Sequence, residues 1–120
     1  MPTYQKRLGN WGENQAINYL KKSGYYIVDR HWQRREGEID IVALDYSSET
    51  LVFFEVKTRQ FYSYGSPAES ISEHKKTALN SIIELYIQEY SFRGDYRLDI
   101  IMITINNKIR ISHLYNVSLE

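Results

Sequence analysis

The chain has no cysteine, only two prolines and no hydrophobic run as long as a membrane span, and its formal net charge is zero. Without cysteine it has neither disulfide bridges nor thiolate metal sites, so any bound metal would be held by oxygen or imidazole ligands. Such ligands favour hard cations such as Mg²⁺ or Mn²⁺. Because no apolar segment follows residues 1–7 as an export signal, we expect a cytoplasmic protein without membrane association.

The length of the chain and its charge distribution limit the number of domains and the kinds of partner that it could bind. A chain of 120 residues, 42% of them hydrophobic, is sufficient for one core, and we predict a single domain over residues 1–120. Residues 36–55 hold six acids and no base, whereas residues 1–35 and 56–76 are both net positive. Zero net charge argues against a general polyanion binder. An acidic segment between two basic ones would arise either from solvated faces or from a site for a cation and a phosphate.

Hydrophobic periodicity predicts seven elements in the order α-β-β-β-α-β-β. The first helix has Thr3 or Asn10 as its N-cap, and the second begins after Ser66 or Ser72. The strand-like runs are residues 25–28, 38–44, 51–59, 96–104 and 108–115. This order predicts an α/β fold in which helices flank one mixed sheet of about five strands.

Strand alternation brings acidic side chains together. Residues two apart on a strand share a face, so Glu55 and Lys57 are neighbours. On the preceding strand, Asp40 is expected to face away from Ile39 and Ile41. If the intervening turn closes a symmetric hairpin, inward counting places Asp40 directly across from Glu55. A slip of one residue in register would move one carboxylate to the other face.

Two opposed carboxylates indicate a cation site. Cβ atoms at directly opposed positions lie about 5 Å apart, where like charges destabilise a sheet. A divalent cation would offset this repulsion, since Mg²⁺ is typically held by one or two carboxylates together with water and phosphate oxygens. Lys57 would then orient or deprotonate the attacking water, or stabilise charge developing on the phosphate. These residues outline a site for phosphodiester hydrolysis.

Glu13 is a further candidate, because it lies on the apolar side of the first helix. An acid that faces the core needs a partner, which a metal or Lys57 would supply. Alternatively, Glu13 forms a capping box with Asn10 or interacts favourably with the positive end of the helix dipole.

Four residues that follow the acidic segment are candidates for nucleic-acid contacts: Arg59, Tyr64, Ser66 and Lys75. Arg59 shares the face of Lys57 and would contact either phosphate or a local acid. For Lys75, like its neighbour Lys76, a solvated helix face is the alternative.

Other polar residues are expected to be structural. Arg97 and Asp99 share one strand face and are predicted to pair with each other. His31, His74 and His113 lack metal-binding spacing, so we assign them no chemistry.

The pattern of these motifs resembles known families. Glu13, then Asp40, then Glu55-Val56-Lys57 resembles the PD-(D/E)xK nuclease superfamily, in particular archaeal Holliday-junction resolvases. The resemblance to the small bacterial YraN-type family covers nearly the whole chain. Its motif blocks are Gly12-Glu13, Tyr19-Leu20, Gly24-Tyr25, Gly37-Glu38-Ile39-Asp40, Phe54-Glu55-Val56-Lys57-Thr58-Arg59, Tyr64-Gly65 and Arg97-x-Asp99.

The resemblance implies a restriction-endonuclease-like fold in which Asp40, Glu55 and the Val56 carbonyl bind the metal and Lys57 is the catalytic lysine. Ile39 stands where the superfamily has its eponymous proline. The expected activity is Mg²⁺- or Mn²⁺-dependent cleavage of DNA, with branched or junction DNA as one substrate and a homodimer as the matching assembly. The alternatives are a nucleic-acid-binding module of the same fold without catalysis, and a scaffold with a structural ion site.

Overall fold

The structure is a computed structural model that describes residues 3–60 and 71–119. Its elements follow the predicted order α-β-β-β-α-β-β. They are α1 (Tyr4–Lys22), β1 (Tyr25–Arg34), β2 (Gly37–Asp45), β3 (Thr50–Gln60), α2 (Glu73–Glu89), β4 (Tyr96–Asn106) and β5 (Lys108–Leu114).

The strands form one five-stranded sheet in the order β1-β2-β3-β4-β5. β3 and β4 run parallel and are joined through α2, whereas the other neighbouring pairs are antiparallel. Parallel neighbouring strands need a long crossover connection, and this explains why a helix separates β3 from β4 in the sequence. The predicted α/β arrangement of one mixed five-stranded sheet flanked by helices is confirmed.

Each helix begins at a hydroxyl N-cap. The Thr3 side chain accepts a hydrogen bond from the Lys6 N–H, and the Ser72 side chain accepts one from the Lys75 N–H. Of the alternative caps predicted, Asn10 therefore lies inside α1, while Ser66 lies outside the described residues. Neither of the two helices in the described ranges is long and apolar enough to cross a membrane.

The two helices cover opposite faces of the sheet. On what we call the α2 face, Phe53 packs in a buried cluster with Ile82 and other residues of α2. On the α1 face, Phe54 packs in a second cluster with Ile17 and Leu20. Because Phe53 and Phe54 are neighbours in sequence, the alternation predicted for β3 is confirmed.

The alternation predicted for β2 is wrong at one position. Ile41 lies in the α1-face cluster, but Ile39 lies in the α2-face cluster together with Val42. The strand therefore departs from regular alternation around Asp40. The β1 partner strand is also longer than predicted and contains His31 with a φ of 51°, next to this irregular stretch.

A buried polar network ties β5 to β4 and α1. Asp99 is fully buried and accepts hydrogen bonds from His113 Nε2 at 2.8 Å, Arg97 Nε at 3.0 Å and the Asn116 N–H at 2.9 Å. The other nitrogen of His113 lies 2.8 Å from the Tyr19 hydroxyl. Burial acts to raise the pKa of the Asp99 carboxyl, but these hydrogen bonds outweigh it and lower that pKa. The predicted Arg97–Asp99 pair is confirmed, and the sequence did not indicate the part that His113 plays.

Candidate functional site

A cavity of about 530 Å³ opens between the first half of α1 and the first turn of α2, beside the C-terminal half of β3. It brings together all of the predicted catalytic and metal-binding residues and two of the predicted nucleic-acid contacts. These lining residues are Glu13, Asp40, Glu55, Val56, Lys57, Arg59 and Lys75. The other two predicted contacts, Tyr64 and Ser66, lie outside the described residues.

The hairpin register positions the two central carboxylates. Asp45 pairs with Thr50 as predicted, and the ladder continues inward to its last pair, Ile41 with Phe54. Asp40 and Glu55 are the next residues along each strand, but the ladder ends before them, so the predicted direct pairing of these two residues is not formed. Beyond the last pair, Asp40 Oδ2 accepts a hydrogen bond of 2.8 Å from the Val56 N–H. The Asp40 side chain thus takes the place of a backbone partner and is fixed beside Glu55.

Asp40 is held in an environment that disfavours its negative charge. Burial raises the pKa of its carboxyl most, and the nearby charges of Glu55 and Glu13 raise it further. The hydrogen bond from the Val56 N–H acts in the opposite direction, yet the pKa still rises from 3.8 to about 8. Perturbation of this kind in a cleft is typical of functional sites.

Glu55 is 7% exposed and interacts with two ammonium groups. Lys57 Nζ lies 3.8 Å from its Oε1, and Lys75 Nζ lies 3.5 Å from its Oε2. Lys57 reaches Glu55 along β3, whereas Lys75 comes from the first turn of α2. Lys75 therefore belongs to the site and is not only part of a solvated helix face. Lys76, its neighbour, pairs with Glu73 on the helix surface.

Glu13 approaches the site from α1 and is half-buried. Burial raises the pKa of its carboxyl most; Glu38 and Glu55 add to this effect, while His31 and Arg30 oppose it. The alternative that Glu13 caps the helix with Asn10 is wrong, because α1 begins two turns earlier at Tyr4.

Close contact between α1 and β3 brings Glu13 to this position. Gly12 lies directly over Thr58, and a Cβ atom added at Gly12 would meet Thr58 Oγ1 at 1.8 Å. Only glycine permits this helix-to-strand distance. Gly9, one turn earlier, has nothing within 4 Å of such a Cβ. The sequence motif includes Gly12 but does not predict its contact with Thr58.

Arg59 is exposed, and its Nη1 donates a hydrogen bond to the carbonyl of Thr58. Among the described residues it forms no ion pair with an acid, so the predicted alternative of a local acidic partner is not found in that part of the chain. Arg59 lines the same cavity as Lys57.

The oxygen ligands of the cavity suit a hard cation, but they are few. Within residues 3–60 and 71–119, no three His, Asp or Glu side chains are grouped so that they could hold one ion. Glu13 is near enough to raise the pKa of Asp40 and yet is not a third ligand in this arrangement. A metal here would have two side-chain ligands, which is within the range that Mg²⁺ uses.

Comparison with known proteins gives consistent family matches. The model of the uncharacterised protein family UPF0102 matches residues 12–103. A UPF0102 protein of Herpetosiphon aurantiacus is 38% identical over 122 residues, covering 97% of each chain. One of Carboxydothermus hydrogenoformans is 42% identical over 115 residues, covering 94% of this chain and 96% of the relative. A UPF0102 protein of Clostridium botulinum is 38% identical over 116 residues, covering 95% of this chain and 90% of the relative.

Among solved structures, the chain is similar to one described as the structure of the EndoMS-dsDNA2 complex. The TM-score is 0.45 and the sequence identity is 19%. The similarity covers 70% of this chain and 32% of the other, so the chain spans about a third of that protein.

Proposed function

This chain belongs to the UPF0102 family, the YraN-type family that its motifs resemble, and we propose that it is a metal-dependent endonuclease that hydrolyses phosphodiester bonds in DNA. The observation that supports this proposal best is that Asp40 and Glu55 line one cavity beside Lys57 and are close enough for Glu55 to raise the pKa of Asp40. Two interacting buried carboxylates oppose folding unless a proton or a cation neutralises them. A substrate phosphate would meet the same cavity through Lys57 and Arg59.

Asp40 and Glu55 would hold the Mg²⁺ or Mn²⁺ ion, and the Val56 carbonyl is the third ligand that the family resemblance implies. The donor set consists of oxygens only, as hard cations require. The pKa of Asp40, raised by burial and by Glu55, supports this assignment because ion binding would relieve both effects. When bound, the ion supplies Lewis acidity and neutralises phosphate charge.

The protein side chains have separable roles in the hydrolysis. A water molecule would attack phosphorus and give one proton to the Glu13 carboxylate, while the bond from phosphorus to the leaving deoxyribose oxygen breaks and that oxygen takes a proton from solvent water. Lys57, held 3.8 Å from Glu55, stabilises charge on the non-bridging phosphate oxygens. Lys75 orients Glu55 from the other side. Glu13 lies at the cavity edge, where its carboxyl would accept a hydrogen bond from the attacking water.

The direct test measures cleavage of fluorescently labelled linear and branched DNA with Mg²⁺ or Mn²⁺. Asp40→Asn and Lys57→Gln are each expected to lower the cleavage rate by at least about a hundredfold. Asp95→Asn is the matched control, since Asp95 is an exposed aspartate in the loop before β4. Cleavage that persists in Asp40→Asn, or that is lost equally in Asp95→Asn, would exclude this assignment.

A second function, a nucleic-acid-binding module without catalysis, is favoured by one specific observation. Both carboxylate oxygens of Glu55 already interact with ammonium groups, from Lys57 and Lys75, which neutralise charge without a metal. A module of this kind would bind DNA equally well in Mg²⁺ and in EDTA, and no cleavage would occur with either Mg²⁺ or Mn²⁺.

Branched DNA and a homodimer belong together in the proposal. A symmetric junction offers two equivalent strands, which two copies of the chain would cut. Under this proposal, light scattering shows two copies of the chain on each junction, and junctions are cut faster than linear duplexes. We expect an enzyme that cuts branched DNA to act in the cytoplasm.

A further inference from the structure

One face of the sheet continues from Lys57 and Arg59 at the cavity to the edge strand β5, along side chains of β4 and β5 that the proposed chemistry does not use. Residues that pair directly across a sheet share a face. Arg59 on β3 pairs with Thr104 on β4, and Thr104 pairs with Arg110 on β5. The neighbouring row, which is nearer the cavity, is formed in the same way: Lys57 on β3 pairs with Met102 on β4, and Met102 pairs with Ser112 on β5. These two rows run across the sheet side by side.

The orientation of β5 follows from its partners. Ile103 belongs to the α1-face cluster, and its partner Ile111 therefore points to that face. Arg110, one residue earlier, points to the α2 face, as does Lys108. β5 thus separates apolar side chains from basic ones.

The α2 face of these strands is strongly positive. Beyond Glu55 it carries four cations and, within the described residues, no acid on β3, β4 or β5. The cations are Lys57, Arg59, Lys108 and Arg110. The last three are exposed and form no ion pair with an acid in the described ranges. In a chain of zero net charge, such a row has a strong local potential.

The spacing of the row suits a polyphosphate strand. Two inter-strand steps of about 4.8 Å separate Arg59 from Arg110, a span of roughly 10 Å. Because a DNA strand carries one phosphate per nucleotide along its whole backbone, two guanidinium groups this far apart would contact different phosphates of the same strand. Thr104 between them offers a hydroxyl donor, which is a common phosphate ligand.

We propose that the phosphodiester backbone of the DNA substrate leaves the cavity across the row Arg59–Thr104–Arg110 and reaches Lys108 at the edge of the sheet. This inference rests on the proposed function for the identity of the strand, and it assigns binding to β4 and β5, which contribute no residue to the cavity itself. The row contacts phosphates and does not read base sequence. Its effect on affinity is therefore the same for different sequences and depends strongly on salt.

The experiment measures the anisotropy of a fluorescein-labelled oligothymidylate, in calcium or EDTA so that no strand is cut. Arg110→Gln is expected to weaken binding about fivefold at 0.1 M salt and to reduce the slope of log affinity against log salt by about 0.7. Adding Lys108→Gln should double the change in slope. Arg93→Gln is the matched control, because Arg93 is an exposed arginine in the loop between α2 and β4. It removes the same charge without touching the row.

The possible results are distinct. If Arg110→Gln and Arg93→Gln bind the oligonucleotide as wild type does, with unchanged salt slopes, the path across β5 is refuted and the proposed nuclease function stands. If Arg110→Gln and Arg93→Gln weaken binding equally, only net charge matters and the path is also refuted. If wild type does not bind DNA at low salt, the path and the proposed function both fail. A loss confined to the row variants supports the path.

Discussion

Replacing Asp40 with asparagine should stabilise the metal-free protein while it abolishes metal binding. In the metal-free state the Asp40 carboxylate is disfavoured, first by burial and then by the charge of Glu55. Asparagine has nearly the same shape and keeps an oxygen that accepts the hydrogen bond from the Val56 N–H. The substitution therefore removes a group whose ionisation favours the unfolded chain, and it preserves the contact that positions the side chain.

The size of the effect follows from the pKa of Asp40. A rise from 3.8 to about 8 corresponds at pH 7 to about 4 kcal/mol, since one pKa unit is worth about 1.4 kcal/mol. Part of this free energy is not recovered in the variant, because a buried asparagine amide is also costly to remove from water. We expect a gain of roughly 2 kcal/mol, or about 8 °C in melting temperature for a domain of this size.

The pH dependence has a definite sign. The folded state holds its proton on Asp40 up to about pH 8, whereas the unfolded chain releases it near pH 4. Between these values the wild-type protein loses stability as the pH rises. The difference between Asp40→Asn and wild type should therefore be near zero at about pH 4, grow with pH and level off above about pH 8.

Urea unfolding in EDTA across this pH range is the assay, repeated with Mg²⁺ at pH 7. Mg²⁺ at about ten times its dissociation constant should stabilise wild type by roughly 1.4 kcal/mol and leave Asp40→Asn unchanged. Asp45→Asn is the control on the same strand. Burial acts to raise the pKa of Asp45, but hydrogen bonds from Ser47 and Ser48 and the charge of Arg97 lower it, so this change should destabilise. A less stable Asp40→Asn protein in EDTA would refute the reasoning.

Two further predictions concern the structure around the site. Gly12→Ala should destabilise by about 2 kcal/mol in urea unfolding, because its Cβ would overlap Thr58 Oγ1, whereas Gly9→Ala, in open space on the same helix, should stabilise by up to about 1 kcal/mol. Equal effects of the two glycine changes would disprove the packing argument, and Thr58→Ala should restore part of the loss. Asp99→Asn should destabilise by about 3 kcal/mol near pH 7, with the deficit shrinking as the pH falls below the ordinary aspartate pKa of about 3.9 and through the lowered pKa of Asp99, because this carboxyl stabilises the fold only while it is ionised. A deficit that is independent of pH, followed by circular dichroism during thermal unfolding, would contradict this account.

Much of the fold was predictable because it depends on local geometry. The alternation of Phe53 and Phe54 along β3 follows from the two-residue period of a strand, and the pairing of Asp45 with Thr50 follows from the short turn between them. These two facts were enough to predict that Asp40 and Glu55 converge. The family was also predictable, since its motif blocks occur in order along the chain.

Other features depend on residues that are distant in sequence. Alternation alone placed Ile39 on the wrong face, because β2 departs from regular alternation around Asp40, where its pairing with β3 ends. Lys75 and Glu55 are brought together only by the crossover through α2, and His113 reaches Asp99 only when β5 pairs with β4.

The sequence by itself therefore determined the order of the elements, the faces of β3 and the identity of the two neighbouring acids, because backbone periods and a short turn act within a few residues. Only the tertiary structure decided that Lys75 shares Glu55 with Lys57, that Gly12 sets the approach of α1, and that β5 carries a basic row. Such contacts depend on how the parallel crossover and the helices pack, and no local period encodes those distances.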